Sequence, residues 1–155
     1  MRLTDLLSES TIIVPLEGGT KEQVISALVD LLCPGLEPVA RATVLESILE
    51  RERLMSTGIG DGIALPHGTA PRGAELTVAL GIPRRPVDFD AIDEQPVELV
   101  FLILSDDRDP TPKMQALARI SRLLHRAAFR RELARCTSPA DAMRVIVDEE
   151  ARYRI

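Results

Sequence analysis

Residues 56–68 read Ser56-Thr57-Gly58-Ile59-Gly60-Asp61-Gly62-Ile63-Ala64-Leu65-Pro66-His67-Gly68, and the rest of the chain is best understood outward from them. Gly58, Gly60 and Gly62 alternate, so the backbone there can take positive φ and come close to a ligand. Ile63-Ala64-Leu65 reads as a very short strand, which Pro66 stops by withholding a ladder donor. That delivers His67, one of only two histidines in the chain, at a strand edge beside an uncrowding Gly68. The arrangement suits a histidine reached from outside.

Upstream, Thr11 to Val14 reads as an edge strand ended by Pro15. Thr20 and Gln23 form a capping box for a helix whose apolar face is Val24, Ala27, Leu28 and Leu31; Cys33-Pro34-Gly35 ends it. A second helix is predicted from Pro38 to about Leu54, with Val44, Leu45, Ile48 and Leu49 as its buried stripe. Arg51 falls at the border of that stripe, just ahead of the glycine-rich stretch. Its plain alternative is an exposed helix arginine pairing with Glu52 or Glu46.

Downstream, Leu76, Val78, Leu80 and Ile82 alternate as in a strand with one buried face, broken by Pro83 and Pro86. Val87 to Asp90 alternates again, briefly. Val97 to Leu104 is the most hydrophobic run and reads as the central strand. After the polar Ser105–Pro110 loop, Thr111 is the expected N-cap and Pro112 the first position of a helix. The expected buried side of that helix is Met114, Leu117, Ala118, Ser121 and Leu124. Phe129 and Leu133 mark another short helix, and Ser138 caps a last one through Met143, Val145 and Ile146. Interleaved strands and helices give the α/β class, a single domain with helices on both faces of its sheet. Strand order stays open.

The 155 residues suffice for one domain with a real core. A net charge of −5 gives no footprint for nucleic acid. The locally basic groups, Arg126, Arg130 and Arg131 and the tail at Arg152 and Arg154, read as solvated faces. No apolar run approaches the roughly 20 residues of a membrane helix, and Met1 to Asp5 lacks a signal peptide's apolar region. Cys33 and Cys136 have no metal or redox spacing. The expectation is a cytoplasmic protein, without membrane insertion, resident metal or cofactor.

Several chemistries fit the stretch poorly. A phosphate loop needs Lys and Ser/Thr after its glycines, where His67-Gly68-Thr69 stands. A dinucleotide fingerprint needs another glycine spacing. A zinc site needs three or four ligands. Ser56, His67 and Asp61 lack the nucleophile elbow of a hydrolase. What remains is histidine as a nucleophile. Neutral imidazole can take a phosphoryl group and pass it on, given NH donors and a cation. The glycine-rich backbone offers the donors and Arg51 the cation.

At this point the wording of residues 56–68 becomes specific: it resembles the phosphorylation-site motif of EIIA type-2 domains. These belong to the bacterial phosphoenolpyruvate-dependent phosphotransferase system and serve fructose or mannitol uptake or nitrogen regulation. Ile48-Leu49-Glu50-Arg51-Glu52-Arg53 matches the family's Arg-bearing helix, and Phe89 to Val97 matches the segment before its central strand. The resemblance spans residues 4–149 of a domain filling 1–155. It implies a mixed sheet of about five strands sandwiched by helices, His67 as the phosphohistidine and Arg51 as the active-site arginine. Gly60, Gly62 and Gly68 would line the phosphate.

One departure matters. The family commonly carries a second histidine at the start of the helix after the central strand, where this chain has Lys113-Met114-Gln115. Lys113 by charge or Gln115 by hydrogen bonding would replace it; His125, three turns on, reads as a surface or packing residue. Asp61 is given no catalytic role. The implied donor is the histidine phosphocarrier protein, and the implied acceptor an EIIB domain or a regulated protein. The free-standing form looks most like the nitrogen-regulatory branch. A fructose/mannitol-type subunit is the alternative, and a non-catalytic interaction module of the same fold is a further one.

Overall fold

A computed structural model describes residues 1–153; Arg154, in the basic tail, lies outside them. One mixed sheet runs through the molecule in the order β1 (Ile12–Leu16), β5 (Thr77–Pro83), β6 (Leu99–Ser105), β3 (Ile63–Ala64), β2 (Gly58–Gly60). A further short strand, β4 (His67–Thr69), continues along the same side of β6 beyond β3. β6 is parallel to β3 and β4 and antiparallel to β5, which is parallel to β1. As expected, the most hydrophobic run is central, and every residue of β6 is buried.

Alternation along β6 divides the core. Leu99, Phe101 and Ile103 face one apolar cluster; Val100, Leu102 and Leu104 face the other. Against the second cluster pack α2 (Lys21–Leu32) and α3 (Pro38–Leu54), through Val24, Ile25, Leu28, Val44 and Ile48. Against the first pack α1 (Leu3–Leu6), α4 (Thr111–Leu123), α5 (Ala127–Ala134) and α6 (Pro139–Ala151). Helices thus cover both faces, as the interleaved pattern predicts.

The caps on α2 and α6 are those read from sequence. Thr20 accepts from Gln23 N–H at 3.2 Å while Gln23 reaches back, and Ser138 accepts from Asp141 N–H at 3.1 Å. Five expectations need correction. β1 runs through Pro15 to Leu16, because an edge strand bonded to β5 alone tolerates a missing donor. β5 is buried on both faces: Val78, Leu80 and Ile82 on one, Ala79 and Gly81 on the other. Val87 to Asp90 is no strand and makes a single bridge, Val87 to Val97. In α4, Thr111 is the first helical residue, its N–H held by the Asp109 carboxylate at 3.0 Å. Of the side expected to be buried, Leu124 is buried and Leu117 packs against the core, while Met114, Ala118 and Ser121 face outward; Ala116, Ile120 and Leu123 complete the buried face.

Candidate functional site

The glycine-rich stretch folds as a hairpin feeding the sheet. β2 and β3 pair antiparallel around Gly60, Asp61 and Gly62, with φ of +96°, +57° and +78°. Glycine takes that conformation without the cost a Cβ imposes. The Gly62 carbonyl accepts from Glu98 and Leu99 N–H at 2.7 and 2.9 Å, pinning the turn to the start of β6. Pro66 does interrupt the ladder, but its carbonyl still accepts from Ile103 N–H at 3.0 Å, and pairing resumes at His67 opposite Ile103. His67 therefore opens a strand on β6; the turn of the hairpin lies elsewhere.

Gly68 faces α3 at very short range: a Cβ there would lie 2.5 Å from an Ile48 side-chain carbon and 2.7 Å from Ser47 Oγ. Alternation turns His67 and Thr69 to the opposite, α4 side. On the open edge of β4, Ser47 Oγ of α3 accepts from Thr69 N–H at 2.9 Å, replacing a sheet neighbour. The histidine thus sits where the sheet edge meets the end of α3 and the start of α4.

His67 Nδ1 lies 3.0 Å from the Leu65 carbonyl. A carbonyl oxygen only accepts, so Nδ1 carries the proton and Nε2 carries the lone pair. The ring is partly buried. Burial pushes its pKa below the ordinary value; Arg51 and Lys113 push the same way, against the Leu65 hydrogen bond and the negative charge of Glu52. The neutral, nucleophilic form prevails at pH 7.

Both predicted cations reach this ring electrostatically. Arg51, in the last turn of α3, has no carboxylate partner among the described residues; its Nη1 donates to the Met55 carbonyl at 2.7 Å. The expected competitors are occupied elsewhere: Glu46 holds Arg53 at 2.8 Å, and Glu52 is turned inward. Lys113 lies in the first turn of α4, toward His67. Gln115, two residues on and so on another face, is exposed in a groove with Met1, Ala118, Arg119 and Arg122. The structure brings Lys113 to the site and leaves Gln115 out.

The three glycines hold different posts. A Cβ on Gly60 would meet Asp93, one on Gly62 would meet Glu98, and one on Gly68 would meet α3. The first two serve the turn and the third a close helix–strand approach. Ser56 donates to the Phe89 carbonyl and accepts from Gly58 N–H, so it is no nucleophile. Asp61 is exposed, its N–H held by Asp93 and its carboxylate 4.0 Å from Arg130. His125 is exposed beyond α4, as expected.

Sequence reasoning missed Glu52 and Thr57. Glu52 is 7% exposed, and its carboxylate accepts from Thr57 N–H at 3.0 Å and Thr57 hydroxyl at 2.6 Å. Lys21 Nζ lies 3.1 Å from the same carboxylate and 3.6 Å from Asp90. A signal was available: Val44, Ile48 and Glu52 recur every four residues, so the glutamate falls on the buried stripe of α3. An unprotonated imidazole nitrogen with two cations beside it can attack an electrophilic phosphorus and hold the dianionic phosphoryl group.

Residues 5–149 match the family model described as phosphoenolpyruvate-dependent sugar phosphotransferase system, EIIA 2. A nitrogen regulatory protein of Bradyrhizobium diazoefficiens is 37% identical over 124 residues, 80% of each chain. The fructose-specific EIIABC component of Bacillus subtilis is 36% identical over 149 residues; these are 96% of this chain, which spans 23% of that protein's length. The crystal structure of the nitrogen regulatory protein IIA-Ntr from Neisseria meningitidis superposes with a TM-score of 0.83 at 29% identity, covering 93% of this chain and 98% of that one. No helix among the described residues is long and apolar enough to cross a membrane.

Proposed function

This chain belongs to the EIIA type-2 family of the phosphoenolpyruvate-dependent phosphotransferase system, and we propose that it is a phosphocarrier that works through His67. The histidine phosphocarrier protein is the donor. The Nε2 lone pair of His67 attacks the donor's phosphorus, a new P–N bond forms as the donor's P–N bond breaks, and the donor imidazole leaves with the electron pair. The observation that carries this reading is the Leu65 carbonyl on Nδ1, which leaves Nε2 as the nucleophile. Arg51, unpaired with any carboxylate among the described residues, and Lys113 offset the charge of the transferred group. Lys113 takes the place of the family's second histidine as a cation rather than as a hydrogen-bonding imidazole.

The output is regulatory and related to nitrogen, supported by likeness to nitrogen regulatory proteins in sequence and in structure. The sugar-uptake reading, with an EIIB domain as acceptor, is favoured by one specific observation, the 36% identity to the fructose component. The test is incubation with phosphoenolpyruvate, Enzyme I and the phosphocarrier. The expected product is an acid-labile, base-stable phosphate that His67→Ala abolishes. No incorporation under conditions that label a known EIIA would leave the fold as an interaction module. Discharge of the labelled protein by an EIIB domain, rather than retention, would favour sugar uptake.

A further inference from the structure

Arg51 ends α3 next to a glutamate, and the hairpin that feeds His67 begins beside that same glutamate. Glu52 takes two hydrogen bonds from Thr57, the residue immediately before β2, so the carboxylate ties the end of α3 to the entry of the hairpin. Thr57 in turn accepts, through its carbonyl, from Leu65 N–H at 3.0 Å. Leu65 is the residue whose own carbonyl fixes the His67 tautomer. A chain of four short contacts therefore runs from Glu52 through Thr57 and Leu65 to the imidazole.

Charge runs along the same path. A carboxylate neighbouring Arg51 in sequence would be its natural partner at a helix end, and pairing the two would cancel the cation that phosphate needs. That pairing does not occur. Lys21, at the start of α2, sits 3.1 Å from Glu52 with its ammonium 5.6 Å from the centre of the Phe89 ring, and its side chain is 12% exposed. Buried carboxylates are tolerated when paired and fully hydrogen-bonded, and Glu52 meets both conditions without Arg51.

We propose that Glu52, held by Lys21, is a positioning residue for phosphoryl transfer: it fixes the Thr57–Leu65–His67 path and, by being engaged elsewhere, keeps Arg51 free for phosphate. It touches neither phosphorus nor the reacting nitrogen. The groups facing His67 are Arg51 from α3, Lys113 from α4, the Leu65 carbonyl from its own segment and, further off, the Glu52 charge. This inference rests on the phosphocarrier reading for its rate effect, and on the hydrogen-bond path and the nearby Glu52 charge for its effect on the imidazole.

Two variants separate position from charge. Glu52→Gln keeps the shape and can still hydrogen-bond Thr57, but removes the charge. Thr57→Val removes the hydroxyl contact and leaves the charge. Phosphoryl uptake from the phosphocarrier is measured alongside titration of the His67 imidazole by NMR. In E52Q the Lys21 clamp on the path is lost, and the rate falls about tenfold or more, of the order that small misplacements of reacting groups produce. The His67 pKa also falls, because a negative charge that favours imidazolium is gone. In T57V the rate falls and the pKa stays. A purely structural glutamate would lower stability and leave the uptake rate of the folded protein where it was. An E52Q protein whose His67 titrates like the wild type, or whose uptake rate is unchanged, overturns the proposal. If the wild type itself takes no phosphate, the phosphocarrier reading fails, and the titration arm alone decides for or against Glu52.

Discussion

Gly68→Ala is the substitution whose cost the structure specifies most closely. The added Cβ would sit 2.5 Å from Ile48 Cγ1, 2.7 Å from Ser47 Oγ and 3.1 Å from the Ile48 backbone nitrogen. The side-chain atoms belong to a fully buried isoleucine and to a serine already committed to Val44 and Thr69, and the third is helix backbone. None can swing away, so α3 must retreat from β4. Overpacking a tight interior site costs about 1–3 kcal/mol. Retreat also breaks the Ser47–Thr69 hydrogen bond, worth about 1 kcal/mol. The expected loss is about 2–4 kcal/mol, or a fall in Tm of roughly 4–16 °C for a chain of this size. Urea titration at constant m-value measures it. Because α3 carries Arg51, phosphoryl uptake by the folded variant should fall as well. Stability within about 0.5 kcal/mol of wild type would refute the reasoning, since an exposed phosphate-lining glycine would behave that way.

The remaining predictions concern the charged groups and pH. Arg51→Ala should slow phosphoryl uptake by about 100-fold, as losing a charge-stabilising donor does, while urea unfolding moves by less than about 1 kcal/mol, because its one hydrogen bond among the described residues is to the Met55 carbonyl. Lys113→Ala should slow uptake and raise the His67 pKa, whereas Gln115→Ala should change neither; NMR titration with stopped-flow transfer separates them. The uptake rate should rise with pH through a midpoint below 6.5 and then level off, following deprotonation of His67. Stability carries the same sign. With the folded pKa depressed, the unfolded chain binds the extra proton, so this contribution is whole above pH 6.5 and is lost as pH falls toward the folded value. Denaturant titrations of wild type against His67→Ala check that slope.

Much of this site is legible in the sequence because its parts are local. A capping residue, a proline at the first helical position and an alternating apolar run each act over a few residues, and α2, α3, β6 and the cap of α6 follow from them. Residues 56–68 name the histidine for the same reason. What the sequence conceals depends on partners far along the chain. The glycines read as phosphate lining, yet Gly68 answers to Ile48 and Gly62 to Glu98, contacts that only the assembled fold creates. The inward face of α4 is only partly legible: Leu117 and Leu124 do turn to the core, but Ala116 lies buried beside them, and a small side chain adds little to an apolar stripe. Glu52 stands on the stripe of α3, but a charge there reads as an interruption until Lys21 and Thr57 are seen to satisfy it. Lys113 and Gln115 were equal candidates until the helix phase separated them.

In the proposed phosphocarrier, His67 carries the phosphoryl group on Nε2, with Nδ1 held by Leu65. The direct measurement is NMR of the protein phosphorylated through the phosphocarrier, with 15N-labelled histidine and 31P detection. One phosphohistidine is expected, on His67, with phosphorus coupled to Nε2 and a protonated Nδ1. Phosphorus on Nδ1, or a label on His125 that survives in His67→Ala, would contradict it.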